Sequence, residues 1–128
     1  MIRFVPLSAV QVMHAELLRE FGGQPGVRDR GLLESALDRP KNLHNYEKAD
    51  LFRLAASYAF GITKNHPFID GNKRVGLVCA YSFLRMNGIE LTATEEETVI
   101  VMTGVADGSV DESTLASWIK TNSKSVRT

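Results

Sequence analysis

The chain is short of several things, and each shortage removes a class of protein. It has one cysteine, Cys79, among 128 residues. A lone cysteine can neither close an intramolecular disulfide nor build a multi-cysteine metal cluster. Set in the apolar run Val75 to Met86, it reads as a small buried hydrophobe rather than a reactive thiol. An excess of charge is missing too, because fifteen Lys and Arg balance fifteen Asp and Glu. Without a global basic field, nothing in the bulk charge draws the chain to nucleic acid or to an anionic membrane, and any anion site must be local. No apolar run approaches the roughly 18 residues that span a bilayer. The start, Met1-Ile2-Arg3-Phe4-Val5-Pro6, has neither the apolar core nor the cleavage site of a secretion signal. A cytoplasmic address is expected. Repeats and low-complexity linkers are also lacking, and the length suits one domain over residues 1–128.

What is present is helical periodicity. Val10, Met13, Leu17 and Phe21 recur at helical spacing after Ser8, a good N-cap, and Gly22-Gly23 stops this helix. Asp29 is placed to cap a second helix from Arg30 to Arg39, with Pro40 ending it and residues 40–47 as a loop. Asp50 caps a third helix from Leu51 to about Lys64, apolar on most sides. A fourth, from Asn72 to Asn87, has almost no polar face and is expected to be the central buried helix. Ile89-Glu90-Leu91 is a short extended piece. Thr94 caps a fifth helix whose first-turn Glu95, Glu96 and Glu97 are favoured by the macrodipole rather than by a metal. Asp111 caps a last helix carrying Leu115, Trp118 and Ile119, and the polar tail from Thr121 to Thr128 is expected to fray. The fold class is all-α, a compact six-helix domain. His14 and His44 read as surface or tethering residues, since neither has a second ligand at helical spacing.

One stretch does not fit a connection between buried helices: His66-Pro67-Phe68-Ile69-Asp70-Gly71-Asn72-Lys73-Arg74. Pro67 ends the third helix. The fourth helix then exposes backbone N–H groups around Gly71 to Arg74, carrying roughly half a positive charge. Gly71 lets the backbone approach a ligand closely. Lys73 and Arg74 add two cations at the end where the macrodipole opposes them, an arrangement that suits an arriving anion. Asp70 beside this cradle could hold Mg²⁺ together with substrate phosphates and water. His66 could take a proton from an attacking hydroxyl. Phe68 is expected to point into the core. The residues together favour phosphoryl or nucleotidyl transfer. The bland alternative, capping groups beside solvated cations, leaves the misplaced charges unexplained.

These residues resemble the signature of the Fic/Doc superfamily, and specifically of death-on-curing (Doc) toxins. The general Fic pattern is His-Pro-Phe, two residues, Gly-Asn-Gly-Arg, two residues, Arg; Asn72-Lys73-Arg74 follows the Doc variant. The likeness extends to Gly22-Gly23-Gln24-Pro25-Gly26 with Arg28-Asp29, to Asp50-Leu51-Phe52 and to Phe83-Leu84-Arg85-Met86-Asn87-Gly88. It implies an all-α fold with His66 as general base and Asp70 on Mg²⁺. Gly71, Asn72, Lys73 and Arg74 would form the clamp on the phosphates of ATP. Lys73 replaces the small glycine of the Fic pattern, and Leu77 stands where its second arginine would be. Both departures are those of Doc toxins, which resemble kinases and bind the nucleotide reversed, so that the γ-phosphate meets the nucleophile. The implied target is a threonine of elongation factor Tu, whose phosphorylation arrests translation.

Fic proteins that silence themselves carry Ser/Thr, three residues, Glu, then Gly or Asn. Here Thr92 is followed by Glu96-Glu97 and Thr103 by Asp107-Gly108, and neither matches. The resemblance therefore implies inhibition by a second chain, a Phd-like antitoxin whose C-terminal segment lies in a groove walled by the first two helices. DNA would be met only through that antitoxin. The rival readings are AMP transfer to a protein hydroxyl, a non-catalytic antitoxin-binding module, and a ribonuclease. The last is opposed by the neutral charge and the absence of an aromatic–basic stripe.

Overall fold

The computed structural model describes residues 1–126. Within them lie six helices and one small antiparallel pair of strands, so the protein is all-α. The helices are α1 (Leu7–Phe21), α2 (Arg30–Glu47), α3 (Leu51–Asn65), α4 (Asn72–Met86), α5 (Glu95–Asp107) and α6 (Glu112–Thr121). The strands are β1 (Ile89–Leu91) and β2 (Ser123–Ser125), with Glu90 opposite Lys124.

Four helix starts are written in the sequence. The side chain of Asp29 accepts from the Leu32 N–H, that of Asp50 from Arg53, and that of Asp111 from Thr114. Thr94 and Glu97 form a reciprocal capping box. The Thr94 hydroxyl holds the Glu97 carboxyl below the usual range, and the Thr114 N–H does the same for Asp111. Because these folded-state values are depressed, the caps contribute above the ordinary carboxylate range and lose their contribution as pH falls through it.

Three boundaries differ from the expectations above. Helix α1 begins at Leu7, with Pro6 as N-cap and no side-chain cap, so Ser8 lies inside its first turn. Pro40 does not end α2, which runs on to Glu47. The reason is packing: Leu33, Ala36, Leu37 and Pro40 form one buried stripe that Leu43 extends, and the proline ring is itself an apolar part of it. That burial outweighs the hydrogen bond a proline cannot donate. The tail expected to fray from Thr121 is tied down as far as Ser125 by pairing with β1, while residues 127–128 lie outside the described part.

The helix surrounded on most sides is α3 rather than α4. It packs against α2, α4, α5 and α6, and nine of its residues are buried. Helix α4 lies along it but leaves Tyr81 and Met86 exposed. Composition decides this. Ala55, Ala56, Ser57, Ala59 and Gly61 give α3 a surface of small side chains that neighbours can approach closely. A Cβ on Gly61 would lie 3.6 Å from Ala36 of α2, and one on Gly76 of α4 would lie 3.0 Å from both the Ala59 carbonyl and the Thr63 hydroxyl. Large side chains fill the space beside these contacts. Tyr58 packs against Phe83 with ring centres 5.1 Å apart, and its hydroxyl accepts the Val5 N–H at 2.9 Å. Burial pushes its phenol pKa well above the ordinary value. Cys79 is fully buried and its thiol pKa is raised by the same desolvation.

The Gly76 contact sets the α3–α4 spacing from which the connecting loop departs. Gly76→Val adds a branched side chain against the backbone of α3. It is expected to cost about 2 kcal/mol, seen as a lower urea midpoint at unchanged slope.

Candidate active site

The connection from α3 to α4 starts with a residue in an unusual conformation. His66 caps α3 at φ 54°, ψ 50°, in the left-handed region. A non-glycine residue there carries roughly 1 kcal/mol of strain, so neighbouring groups must hold it. Arg28 does so from the α1–α2 connection. Its Nε donates to the His66 carbonyl at 2.7 Å and its Nη2 to the Asn65 carbonyl at 2.9 Å. A cation on the last carbonyls of a helix also suits the macrodipole. The backbone N–H groups of Arg28 and Asp29 both donate to the Pro67 carbonyl, and Ile69 N–H donates to the Gly26 carbonyl. Val27 and Phe68 form the bridge at the centre of this short ladder. Arg28 figured in the sequence only through a family likeness. Its position over the His66 carbonyl depends on a contact 38 residues away and has no local signature.

Asn72 closes the loop from inside. It is buried, with its Oδ1 accepting the Phe68 N–H at 3.0 Å and its Nδ2 donating to the Phe68 carbonyl at 3.0 Å. Those two bonds fix which way round the amide sits. The remaining N–H faces His66 Nδ1 at 2.9 Å. An amide N–H only donates, so Nδ1 accepts and the neutral ring carries its proton on Nε2. The Asn72 side chain is therefore committed to the loop, and only its backbone N–H remains for an anion. Phe68, as expected, is buried and anchors the turn.

Asp70 and Gly71 form the next corner. Gly71 has φ 81°, a conformation in which a side chain would be strained. Asp70 is exposed; its Oδ1 accepts the Gly71 N–H at 2.9 Å and its Oδ2 the Gln24 N–H at 3.3 Å. Gly23 leaves room for this carboxylate, since a Cβ there would stand 2.9 Å from Oδ2. From below, the ring of His14 approaches the corner, with Nε2 2.9 Å from the Asp70 carbonyl. His14 is buried rather than on the surface, because the Phe68 ring covers it in a parallel stack at 3.9 Å.

Lys73 and Arg74 follow on the first turn of α4. Both are exposed, and neither has a carboxylate partner among the described residues. The Arg74 guanidinium lies 4.4 Å from the centre of the half-exposed Phe21 ring at the end of α1. A cavity of about 350 Å³ opens beside these groups. It is lined by His66 and Asp70 to Arg74 on one side, and by Leu77 with Thr98, Val99, Met102 and Thr103 of α5 on the other. A second cavity of about 350 Å³, lined by Thr63, Lys64 and Ala106, shares His66, Asn72 and Lys73 as its wall. All six expected site residues thus meet in one place. A larger hollow of about 530 Å³ between α2 and α6 holds Arg39, Glu47, Arg53 and Glu112. These are already paired as Arg39–Glu112 and Arg53–Glu47, so no unbalanced charge is left there for a ligand.

No group of three metal-binding side chains occurs among the described residues. Asp70 alone could contribute a ligand to a divalent cation, which fits Mg²⁺ only in the form that takes its other ligands from phosphate and water.

A small helical protein with two cations on a helix's first turn, a carboxylate and a histidine around one cavity is the class that fold and site define. Residues 4–84 match the model of the Fic/DOC family, and the chain belongs to that family. It is 30% identical over 120 residues to a protein named Protein kinase doc from Escherichia phage P1, covering 93% of this chain and 94% of that one. It is 39% identical over 77 residues to Toxin Doc of Mycolicibacterium smegmatis, covering 57% of this chain and 58% of the relative.

Truncating Asn72 leaves the buried N–H and carbonyl of Phe68 without partners. Asn72→Ala is expected to lower stability by about 2 kcal/mol, measured by urea unfolding. An unchanged midpoint would show that the amide does not hold the turn.

Proposed function

We propose that this chain is a Doc-type toxin that transfers the γ-phosphate of ATP to a hydroxyl on a protein. The observation that carries the reading is the pair of cations without a carboxylate partner among the described residues, Lys73 and Arg74, on the first turn of α4, beside Asp70 and His66 around one cavity. Phosphoryl transfer asks little covalent chemistry of a protein; it asks for positioning and for charge where the phosphate passes. Helix-start N–H groups, Lys73 and Arg74 supply that charge. Asp70 would hold Mg²⁺, which when bound neutralises phosphate charge and fixes the phosphate oxygens. The name of the phage relative supports kinase chemistry over AMP transfer, as does Lys73 in place of glycine. The two cavities that share His66 and Lys73 suit a nucleotide on one side and an acceptor on the other.

By likeness to Doc toxins, the acceptor is a threonine of elongation factor Tu, and a Phd-like antitoxin silences the enzyme in trans. The absence of a self-inhibiting glutamate pattern supports control by another chain. The test uses purified protein, elongation factor Tu and ATP labelled at the α or the γ position. Label is expected on the factor from the γ position only, and transfer from the α position would overturn the kinase reading. His66→Ala is expected to slow transfer roughly 100-fold or more.

One observation favours a second role for His66. With Nδ1 accepting from Asn72, the neutral ring offers Nε2 as a donor, so base action requires the Asn72 contact to be released when the acceptor binds. The rate against pH separates the two. A base gives transfer that rises with pH as the imidazole loses its proton, whereas a donor to a phosphate oxygen gives a flat or falling profile across the same range.

A further inference from the structure

The chemistry proposed above uses the loop between α3 and α4, yet part of what shapes that loop comes from α1. His14 is buried at 6% exposure, although it lies on a helix whose only other buried residue is Val10. It reaches 56 residues along the chain to the Asp70 carbonyl. A carbonyl oxygen can only accept, so His14 Nε2 carries the hydrogen and donates it. The ring plane is set by stacking on Phe68, 3.9 Å between centres and 15° from parallel, and Phe68 is itself fixed in the core. The same ring edge packs against the next residue, since a Cβ on Gly71 would lie 3.8 Å from both Cδ2 and Nε2 of His14.

The bond therefore acts on the peptide plane joining Asp70 to Gly71. Its carbonyl is held by His14, and its N–H is the group that binds Asp70 Oδ1. Gly71, at φ 81° and ψ 16°, has the angles of the glycine in a type II turn. A plane that ends in glycine can turn over at little steric expense. Turning it over would withdraw the N–H from the carboxylate and break the bond to His14 together. Nothing else among the described hydrogen bonds holds the Asp70 carbonyl.

We propose that His14 is a positioning residue for the site: by locking the Asp70–Gly71 peptide plane, it aims the Asp70 carboxylate and the N–H groups that follow it. The proposal rests on the nucleotide-site reading of residues 66–74 for its consequence but not for its geometry. His14 lines neither cavity and needs no contact with a ligand. Its role is that of an outer group that orients an inner one.

The test compares wild type with His14→Phe, which keeps a flat ring on Phe68 but has no donor, and with His14→Gln, which keeps an N–H. Thermal unfolding establishes that each variant is folded. The first readout needs no ligand: ¹⁵N relaxation dispersion at the amides of residues 70–74. Wild type and His14→Gln are expected to give flat profiles, and His14→Phe is expected to show exchange centred on Gly71. The second readout is binding of ATP as Mg²⁺ is titrated. His14→Phe is expected to need about tenfold more Mg²⁺ for half-saturation, with His14→Gln restoring most of the loss. A flat dispersion profile in His14→Phe would overturn the positioning role. Exchange at Gly71 with an unchanged Mg²⁺ requirement would overturn its connection to the site. If wild type itself bound no Mg²⁺·ATP, the nucleotide reading would fail, and the dispersion arm would still decide whether His14 locks the plane.

Discussion

A single primary amide closes the turn on which the site is built. The chain leaves α3 at Asn65 and enters α4 at Asn72 with only six residues between. A reversal that short and partly buried leaves backbone groups without helical partners, and buried backbone groups must be paired. Asn72 pairs both groups of Phe68 and still reaches His66. With the Phe68 groups paired by Asn72, Lys73 and Arg74 are not needed to satisfy the turn's backbone. Asp70 does contribute to it, its carboxylate accepting the Gly71 and Gln24 N–H groups.

The remaining strain in the turn is met from outside it. His66 in the left-handed region is held by Arg28 through two carbonyls, and the Pro67 carbonyl takes two further N–H groups from the same segment. Gln24 reaches Asp70 from the α1–α2 connection and His14 from α1. The glycines in that connection are there for space as much as for conformation, because Gly23 leaves room for the Asp70 carboxylate. Electrostatics then gives the turn its character. Some exposed cations find carboxylates, as Arg30 does with Glu34 and Arg53 with Glu47. On the first turn of α4, where the helix already presents positive charge, two cations stand without one among the described residues. Such an arrangement is unfavourable for the empty protein and becomes favourable when an anion is present.

Much of this was legible in the residues. Four caps, the positions of six helices and the meeting of His66, Asp70, Gly71, Asn72, Lys73 and Arg74 at a helix start all follow from local rules that act within a turn or two. Where local rules failed, packing overrode them. Pro40 sits inside α2 because its ring continues a buried stripe, and Ser8 gives up the cap because the helix begins two residues earlier than that cap would set it, at Leu7 with Pro6 as N-cap. The apolar abundance of α4 suggested a central helix, yet small side chains rather than large ones put α3 at the centre.

The sequence by itself determined the fold class and which side chains gather at the α3–α4 turn, because helix periodicity, caps and a contiguous motif are encoded between near neighbours. Only the tertiary structure decided how that motif is aimed. Arg28 over the carbonyls of Asn65 and His66, His14 beneath the Asp70 carbonyl and Phe21 beside Arg74 join residues 38, 56 and 53 positions apart. No spacing rule along the chain marks such pairs, since each exists only once the helices have packed and brought α1 and the α1–α2 connection against the turn. Without that packing, His14 is simply a histidine on an amphipathic helix; the stack on Phe68 and the Asp70 carbonyl within hydrogen-bond reach are what give it a role.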